Sequence, residues 1–500
     1  MSNNNKTFYP QTVDITQLQN AYNQGQYLTA YTQAVALSPL SCWRGKEGRL
    51  LAARIARMMN QNSLSRVLTY RAWKEYPDDA ETIYELARNK RSQGMYRAWL
   101  FIQRYDQAYT REPLQYARWL ALKGNIAARL RNFKKADEYI QRALELTDDP
   151  WVWCEQAYIL EFEDRYDESL QVIEKLFEQH NSYRPAYQQR AYLLQLMRRD
   201  EEARLCLQEA YNKFESIHVG AQWLDELIEG GQYEEALSVC NELDLMVPVK
   251  RRHEFDWLLG RRVDTLCHLK QYKQAGELVS GLSSHFFTRL AENLQKAGEG
   301  SIRKVLPVHF IRQQHNTCGP ATMSAICHYH GSDVDQQAII DSIWYAGTRD
   351  LDERQWCLEN GWQVTEFKLT WDSVRSLIDA GFPVAVTTVE PDSAHLQAVI
   401  GYDEYRGTLL IRDPYEREEQ EFLAEGFFTN YAVHGPRALL IYPQQKAALL
   451  EPIELVEQGQ YDAYFHMQSA LEKHMRGEAL AILKQMESSW PNSRMSLHAR

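Results

Sequence analysis

A five-residue pattern returns five times between residues 132 and 275 of this 500-residue chain at a nearly constant interval, and it limits the fold more than any single motif does. The pattern is a polar residue, an aromatic, two polar residues and a small residue. It stands at Asn132-Phe133-Lys134-Lys135-Ala136, Arg165-Tyr166-Asp167-Glu168-Ser169, Gln232-Tyr233-Glu234-Glu235-Ala236 and Gln271-Tyr272-Lys273-Gln274-Ala275, with Arg199-Asp200-Glu201-Glu202-Ala203 between them. The small residues step by 33, 34, 33 and 39. Twelve positions before the first three lie Gly124, Ala157 and Ala191, where two antiparallel helices could cross closely. From 13 to 298 apolar residues recur at spacings of three and four with few prolines, which predicts helix after helix. Such a unit buries its apolar face only against its neighbours, so stacking builds one continuous core and leaves a concave surface.

The pattern resembles the tetratricopeptide repeat, a helix-turn-helix unit whose two small positions are twelve apart. The resemblance puts Trp153 at the aromatic position, Ala143 and Ala210 at the later small position, and Pro248 at the closing proline. Leu224 and Val263 depart from the first small site, so helix packing there is expected to be modified. Copies at Gln26–Ala30 and Met95–Ala98 carry the array toward the N-terminus, behind a flexible segment 1–12. What the resemblance implies is a partner: a protein or peptide substrate held by the repeats. The many tryptophans of this half, Trp119 and Trp223 among them, fall at helical spacing and read as core.

Composition narrows the remainder. With 56 basic against 67 acidic residues the chain carries a formal charge of −11, which repels phosphate backbones and argues against nucleic acid as a partner. No window approaches about 18 uninterrupted apolar residues, and the start, Met1 to Lys6, is polar, so neither a membrane span nor a secretory signal is expected. Eight cysteines scattered without C-x-x-C pairs read as free thiols in a cytoplasmic chain. The oligomeric state is not legible.

The helical texture breaks at Ala297–Ser301. Beyond it, β-rich runs at Val305–Ile311, Trp362–Lys368, Pro383–Val389, His395–Tyr402, Thr408–Arg412 and Ala438–Tyr442 alternate with helical stretches, predicting an α+β domain over 303–445. Residues 303–437 hold eleven basic and twenty acidic side chains, so most of the negative charge lies here, and the acidic run Glu416–Glu421 reads as a solvated loop or strand edge. From 446 to 500 helices resume, with Gln460–Ala463 echoing the repeat pattern and a second helix from Gly477.

Within the α+β domain, Cys318 stands where a loop turns into a helix, and Gly319 and Pro320 suit the first turn because proline's missing N–H would be unpaired there anyway. A thiol at a helix N-terminus faces the positive end of the helix dipole, which favours the reactive thiolate. An upstream glutamine, Gln313 or in reserve Gln314, can add a side-chain N–H to a backbone N–H and form an oxyanion hole. A nucleophile needs a base, and the base an orienting partner. A hairpin centred on Tyr405 makes His395 and Asp413 same-face diagonal neighbours about 7–8 Å apart between backbones; a register slipped by one would part them. Cys327 lies nine positions from Cys318, on the opposite face of the helix, so Cys327, His328 and His330 are not read as a metal site.

The run Gln-x-x-x-x-Cys-Gly-Pro-Ala, then His-x-x-x-x-x-Gly-Tyr-Asp, then Arg-Asp-Pro is similar to the papain-like cysteine peptidases related to the bacterial double-glycine leader peptidases that trim bacteriocin precursors. The resemblance implies Cys318 as nucleophile, His395 as general base and acid, Asp413 orienting the imidazole and Gln313 as oxyanion donor, with no metal or organic cofactor. Unlike the best-known members, this chain shows no transporter spans and no Gly-x-x-x-x-Gly-Lys-Ser/Thr phosphate loop. The expected chain is thus an all-α tetratricopeptide-like solenoid, an α+β papain-like domain and a C-terminal helical segment, acting as a cytoplasmic cysteine peptidase. The same thioester chemistry allows transglutamination or deamidation, and a non-enzymatic repeat adaptor is the other alternative.

Overall fold

A computed structural model of the chain describes residues 7–10, 14–105, 112–247, 252–280, 282, 284–298, 300–390 and 393–500. The helical pairs of the first half share one turn. A residue in the left-handed region precedes the second helix of the pair by two positions: Gly25, Asn60, Arg131, Asp164, Arg198 and Gly231, before helices that begin at Tyr27, Asn62, Phe133, Tyr166, Asp200 and Tyr233. The next backbone N–H, from Gln26, Gln61, Asn132, Arg165, Arg199 or Gln232, reaches back to the carbonyl five residues earlier at 2.7–3.0 Å. This closure satisfies a carbonyl that the ending helix would otherwise leave unpaired. The turn at Asn60 marks a repeat copy, with Ser65 buried at its small position, that the residue pattern alone does not show.

The small positions are where the two helices of a pair touch. Ser169 Oγ donates to the Ala157 carbonyl at 2.7 Å, and a Cβ on Gly124 would stand 3.2 Å from the Ala136 carbonyl oxygen. Where Leu224 replaces the small residue, the close approach moves one turn back to Gly220, whose missing side chain leaves room for Leu243. Pro248 lies outside the described residues, as do residues 1–6 and 11–13 of the N-terminal region.

The array also closes on itself. Thr29 donates its N–H and its hydroxyl to the two carboxylate oxygens of Glu215, each at 2.9 Å, and Gln26 forms a parallel bridge with the same residue. Phe214 packs on Gly25, and the Arg184 guanidinium lies 5.7 Å from the Tyr27 ring centre. Further polar contacts link neighbouring repeats, with Arg54, Arg57 and Arg88 converging on the buried Glu85 carboxylate at 2.8, 3.3 and 3.5 Å.

Packing divides the chain into units 1–270 and 271–500. In the second, helices Tyr272–Val279 and His285–Lys296 pack beside the sheet: the Tyr272 ring stacks on Tyr405 at 4.1 Å, and Asn293 Nδ2 donates to the Arg406 carbonyl at 2.8 Å. The strands are β1 (Arg303–Val305), β2 (Gln363–Lys368), β3 (Val384–Glu390), β4 (Ser393–Asp403), β5 (Thr408–Arg412), β6 (Gln420–Leu423) and β7 (Arg437–Tyr442). They form an antiparallel sheet ordered β2-β7-β3-β4-β5-β6, with β1 added on β4. β1 ends at Val305, the first residue of the expected run 305–311, and the rest of that run is not strand because Pro307 has no N–H to continue the ladder. The acidic run ends in edge strand β6, the strand-edge alternative of the two expected, and there Glu421 is held by Arg406 at 2.7 Å and Arg303 at 3.5 Å. Helix Cys318–Tyr329 is tied to the sheet by Thr322, whose hydroxyl donates to the Leu396 carbonyl on β4 at 2.9 Å.

The C-terminal helices Gln458–Glu472 and Arg476–Ser489 repeat the turn of the array, with left-handed His474 and a Met475 N–H to Ala470 carbonyl bond of 2.8 Å. The echo Gln460–Ala463 therefore lies inside the first helix, and the equivalent small position is buried Ala479. A short polar-aromatic-small string recurs in any amphipathic helix; the left-handed residue fixes the turn. Among the described residues no helix is long and apolar enough to cross a membrane.

Candidate active site

The loop into helix Cys318–Tyr329 is held from two sides. Gln313 N–H donates to the Pro414 carbonyl at 2.8 Å, and Trp344 Nε1 donates to the Asn316 carbonyl at 2.9 Å. Cys318 opens the helix, and it is the one cysteine of the eight that is not buried; all eight are free thiols. The Gly319 position is tight, since a Cβ there would lie 3.0 Å from Glu353 Oε1 and 3.1 Å from Thr348 Oγ1 and press on both side chains.

Strands β4 and β5 pair Ala398 with Arg412, and a bulge between Val399 and Gly401 shifts the register toward the turn. Carried outward, the Ala398 register sets Gln397 opposite Asp413, so His395 is the same-face diagonal neighbour. His395 Nε2 lies 3.0 Å from Asp413 Oδ2, and the Cys318 side chain is near enough to the imidazole to favour its charged form. Burial alone would lower the imidazole, but its bond to Asp413, the nearby Cys318 and the negative charge of both raise it to about 9. Burial pushes the Asp413 carboxyl up, yet the bond to His395 and the Tyr415 N–H, 2.7 Å from Oδ1, hold it below the usual carboxylate value.

The structure thus brings Cys318, His395 and Asp413 together. Gln313 is anchored by its backbone beside Pro414, and its side-chain Oε1 is buried without a hydrogen-bond partner. Gln314 turns to Gln337 on the next helix, 3.1 Å away. Burial raises the Cys327 thiol to about 12, and His328 Nε2 lies 2.9 Å from the Val334 carbonyl. Among the described residues no three His, Cys, Asp or Glu side chains are arranged to hold a metal ion. Sequence reasoning missed Glu353, which abuts Gly319, and its partner Arg437; the available signal was one arginine opening an otherwise apolar strand.

Residues 305–438 match the sequence model of the Peptidase_C39 like family, and residues 117–150 match that of the tetratricopeptide repeat. The chain thus carries a Peptidase_C39-like domain and a tetratricopeptide repeat. Among solved structures, the peptidase domain of Streptococcus ComA, a bi-functional ABC transporter involved in a quorum sensing pathway, aligns at 18% identity over 28% of this chain and 98% of that one, with a TM-score of 0.23. A tetratricopeptide repeat protein from Parabacteroides merdae aligns at 14% identity over 50% of this chain and 97% of its own, with a TM-score of 0.33. Pseudomonas aeruginosa pilF aligns at 14% identity over 40% and 88%, with a TM-score of 0.32. No curated protein matches the chain.

Proposed function

We propose that residues 303–445 form a cysteine peptidase acting on a protein or peptide segment recruited by the helical repeats. The observation that carries this reading is the accessible thiol of Cys318 at a helix start, beside an imidazole that Asp413 holds at 3.0 Å. The thiolate attacks the scissile carbonyl carbon, and the oxyanion is held by the Cys318 N–H and the Gln313 amide. The carbon–nitrogen bond then breaks as His395 gives its proton to the leaving amine, leaving a thioester. Water, deprotonated by His395, hydrolyses the thioester and returns the thiolate. Asp413 keeps the imidazole oriented throughout. Eight unpaired cysteines support a reducing, cytoplasmic setting.

The test is product mass. A complex peptide library is incubated with the full chain and with Cys318→Ala, and products are sequenced by mass spectrometry. Peptidase action gives pairs of fragments that sum to a substrate plus water, only with the wild type. Single chains changed in mass by deamidation or amine addition would replace hydrolysis with acyl transfer, and no Cys318-dependent product would favour the adaptor.

A further inference from the structure

Four of the almost fully buried charged side chains of the second unit stand in one group: Glu353, Arg354, Glu366 and Arg437, at 4, 7, 5 and 6% exposure. They form an unbroken line of ion pairs. Asp462, on the C-terminal helix Gln458–Glu472, lies 2.5 Å from Arg354 Nη2; Arg354 Nη1 lies 3.0 Å from Glu366 Oε2. Glu366 Oε1 then meets Arg437 Nε at 2.6 Å, and Arg437 Nη1 meets Glu353 Oε2 at 2.7 Å. The free end, Glu353 Oε1, rests against Gly319 in the first turn of the Cys318 helix. Burying four ions costs several kcal/mol each before pairing, and apolar residues of similar volume would pack the same space at no such cost. Removing an end member takes one partner from a buried charge that is left to its remaining pair, so a disturbance at one end loads the next link of the line.

We propose that Glu353 is a positioning residue for Cys318, and that through this line the docking of the C-terminal helical pair sets the geometry of the helix that carries the thiol. The consequence for reaction rate rests on the nucleophile reading given above; the mechanical link does not. Glu353 is faced by Arg437 from β7, Glu366 from β2, Asp350 from its own helix, and Thr348 and Gly319 on the remaining side. Burial raises its carboxyl to about 7 even with Arg437 beside it, so its charge changes near neutral pH.

The experiment uses the full chain with Glu353→Gln, Asp462→Asn and, as control, Glu472→Gln, which breaks the exposed pair between Glu472 and Arg349, the residue just before the Glu353 helix Asp350–Glu359. Amide hydrogen exchange in 317–323 is expected to rise about fivefold or more in the first two and less than about twofold in the control. The pH profile of Cys318 alkylation is expected to show a step near pH 7 that Glu353→Gln abolishes and Glu472→Gln keeps. Unchanged exchange in Asp462→Asn, or equal acceleration in the control, would overturn the proposal. Asp462 is one-third exposed, so its variant carries the test if Glu353→Gln fails to fold. Should wild-type Cys318 alkylate no faster than the buried thiols, the nucleophile reading fails, while the exchange result still decides this one.

Discussion

His395 meets Asp413 through Nε2, at 3.0 Å from Oδ2, although the two residues sit diagonally across β4 and β5. That geometry commits one ring nitrogen to the carboxylate, with Cys318 beside the ring. Asp413→Asn keeps the shape but removes the charge that supports an imidazolium. It is expected to lower kcat/KM on any peptide substrate by about 100-fold, with little change in KM. Equal loss in KM alone would assign Asp413 to substrate binding.

Stability should depend on pH through the same pair. The folded His395 titrates at about 9, above the ordinary value of about 6.5, so its stabilisation is fully present below the ordinary value and is lost as pH rises through 9. Asp413 is held below the usual carboxylate value, so its contribution is lost only as pH falls through its own folded value. The thermal midpoint of the second unit is expected to decline between about pH 7 and pH 10, and Asp413→Asn should flatten that decline. Parallel curves for the two proteins would contradict the pairing.

Gly319→Ala places a methyl group 3.0 Å from Glu353 Oε1 and 3.1 Å from Thr348 Oγ1. Overpacking of this kind costs about 1–3 kcal/mol and should slow Cys318 alkylation as well. Gly477→Ala meets nothing within 4 Å in helix Arg476–Ser489 and should stabilise by about 0.5–1 kcal/mol. Chemical denaturation of both variants gives the comparison.

Turn positions of the two kinds should respond in opposite directions. Gly231 has φ 73, so Gly231→Val is expected to cost about 1–2 kcal/mol. His474 has φ 58 in the matching turn of the C-terminal pair, and His474→Gly should gain up to about 1 kcal/mol.

What was legible in the sequence is what local chemistry dictates. The helix pairs follow from two small residues twelve apart within one repeat, so Ala157 and Ser169 could be paired from the sequence alone, whereas left-handed turn residues such as Arg131 and Asp164 carry no such signal. The Cys318 helix and the β4–β5 hairpin were equally local, which is why Cys318, His395 and Asp413 could be named. The rest depends on distant chain. Glu215 reaches Thr29 only because successive repeats turn by a small angle that no single repeat encodes. Glu353, Glu366 and Arg437 read as surface charges on amphipathic segments until folding buries them together. At the β6 edge the sequence left a loop and a strand edge equally open, because nothing local tells that Arg303 and Arg406 face Glu421.

The most direct measurement is iodoacetamide labelling near neutral pH, with all eight cysteines followed by mass spectrometry in the wild type and in His395→Ala. Fast labelling confined to Cys318, and lost without His395, is the result predicted for an activated thiolate–imidazolium pair. Slow labelling of Cys318 that is indifferent to His395 would contradict the account and leave a peptidase fold without its chemistry.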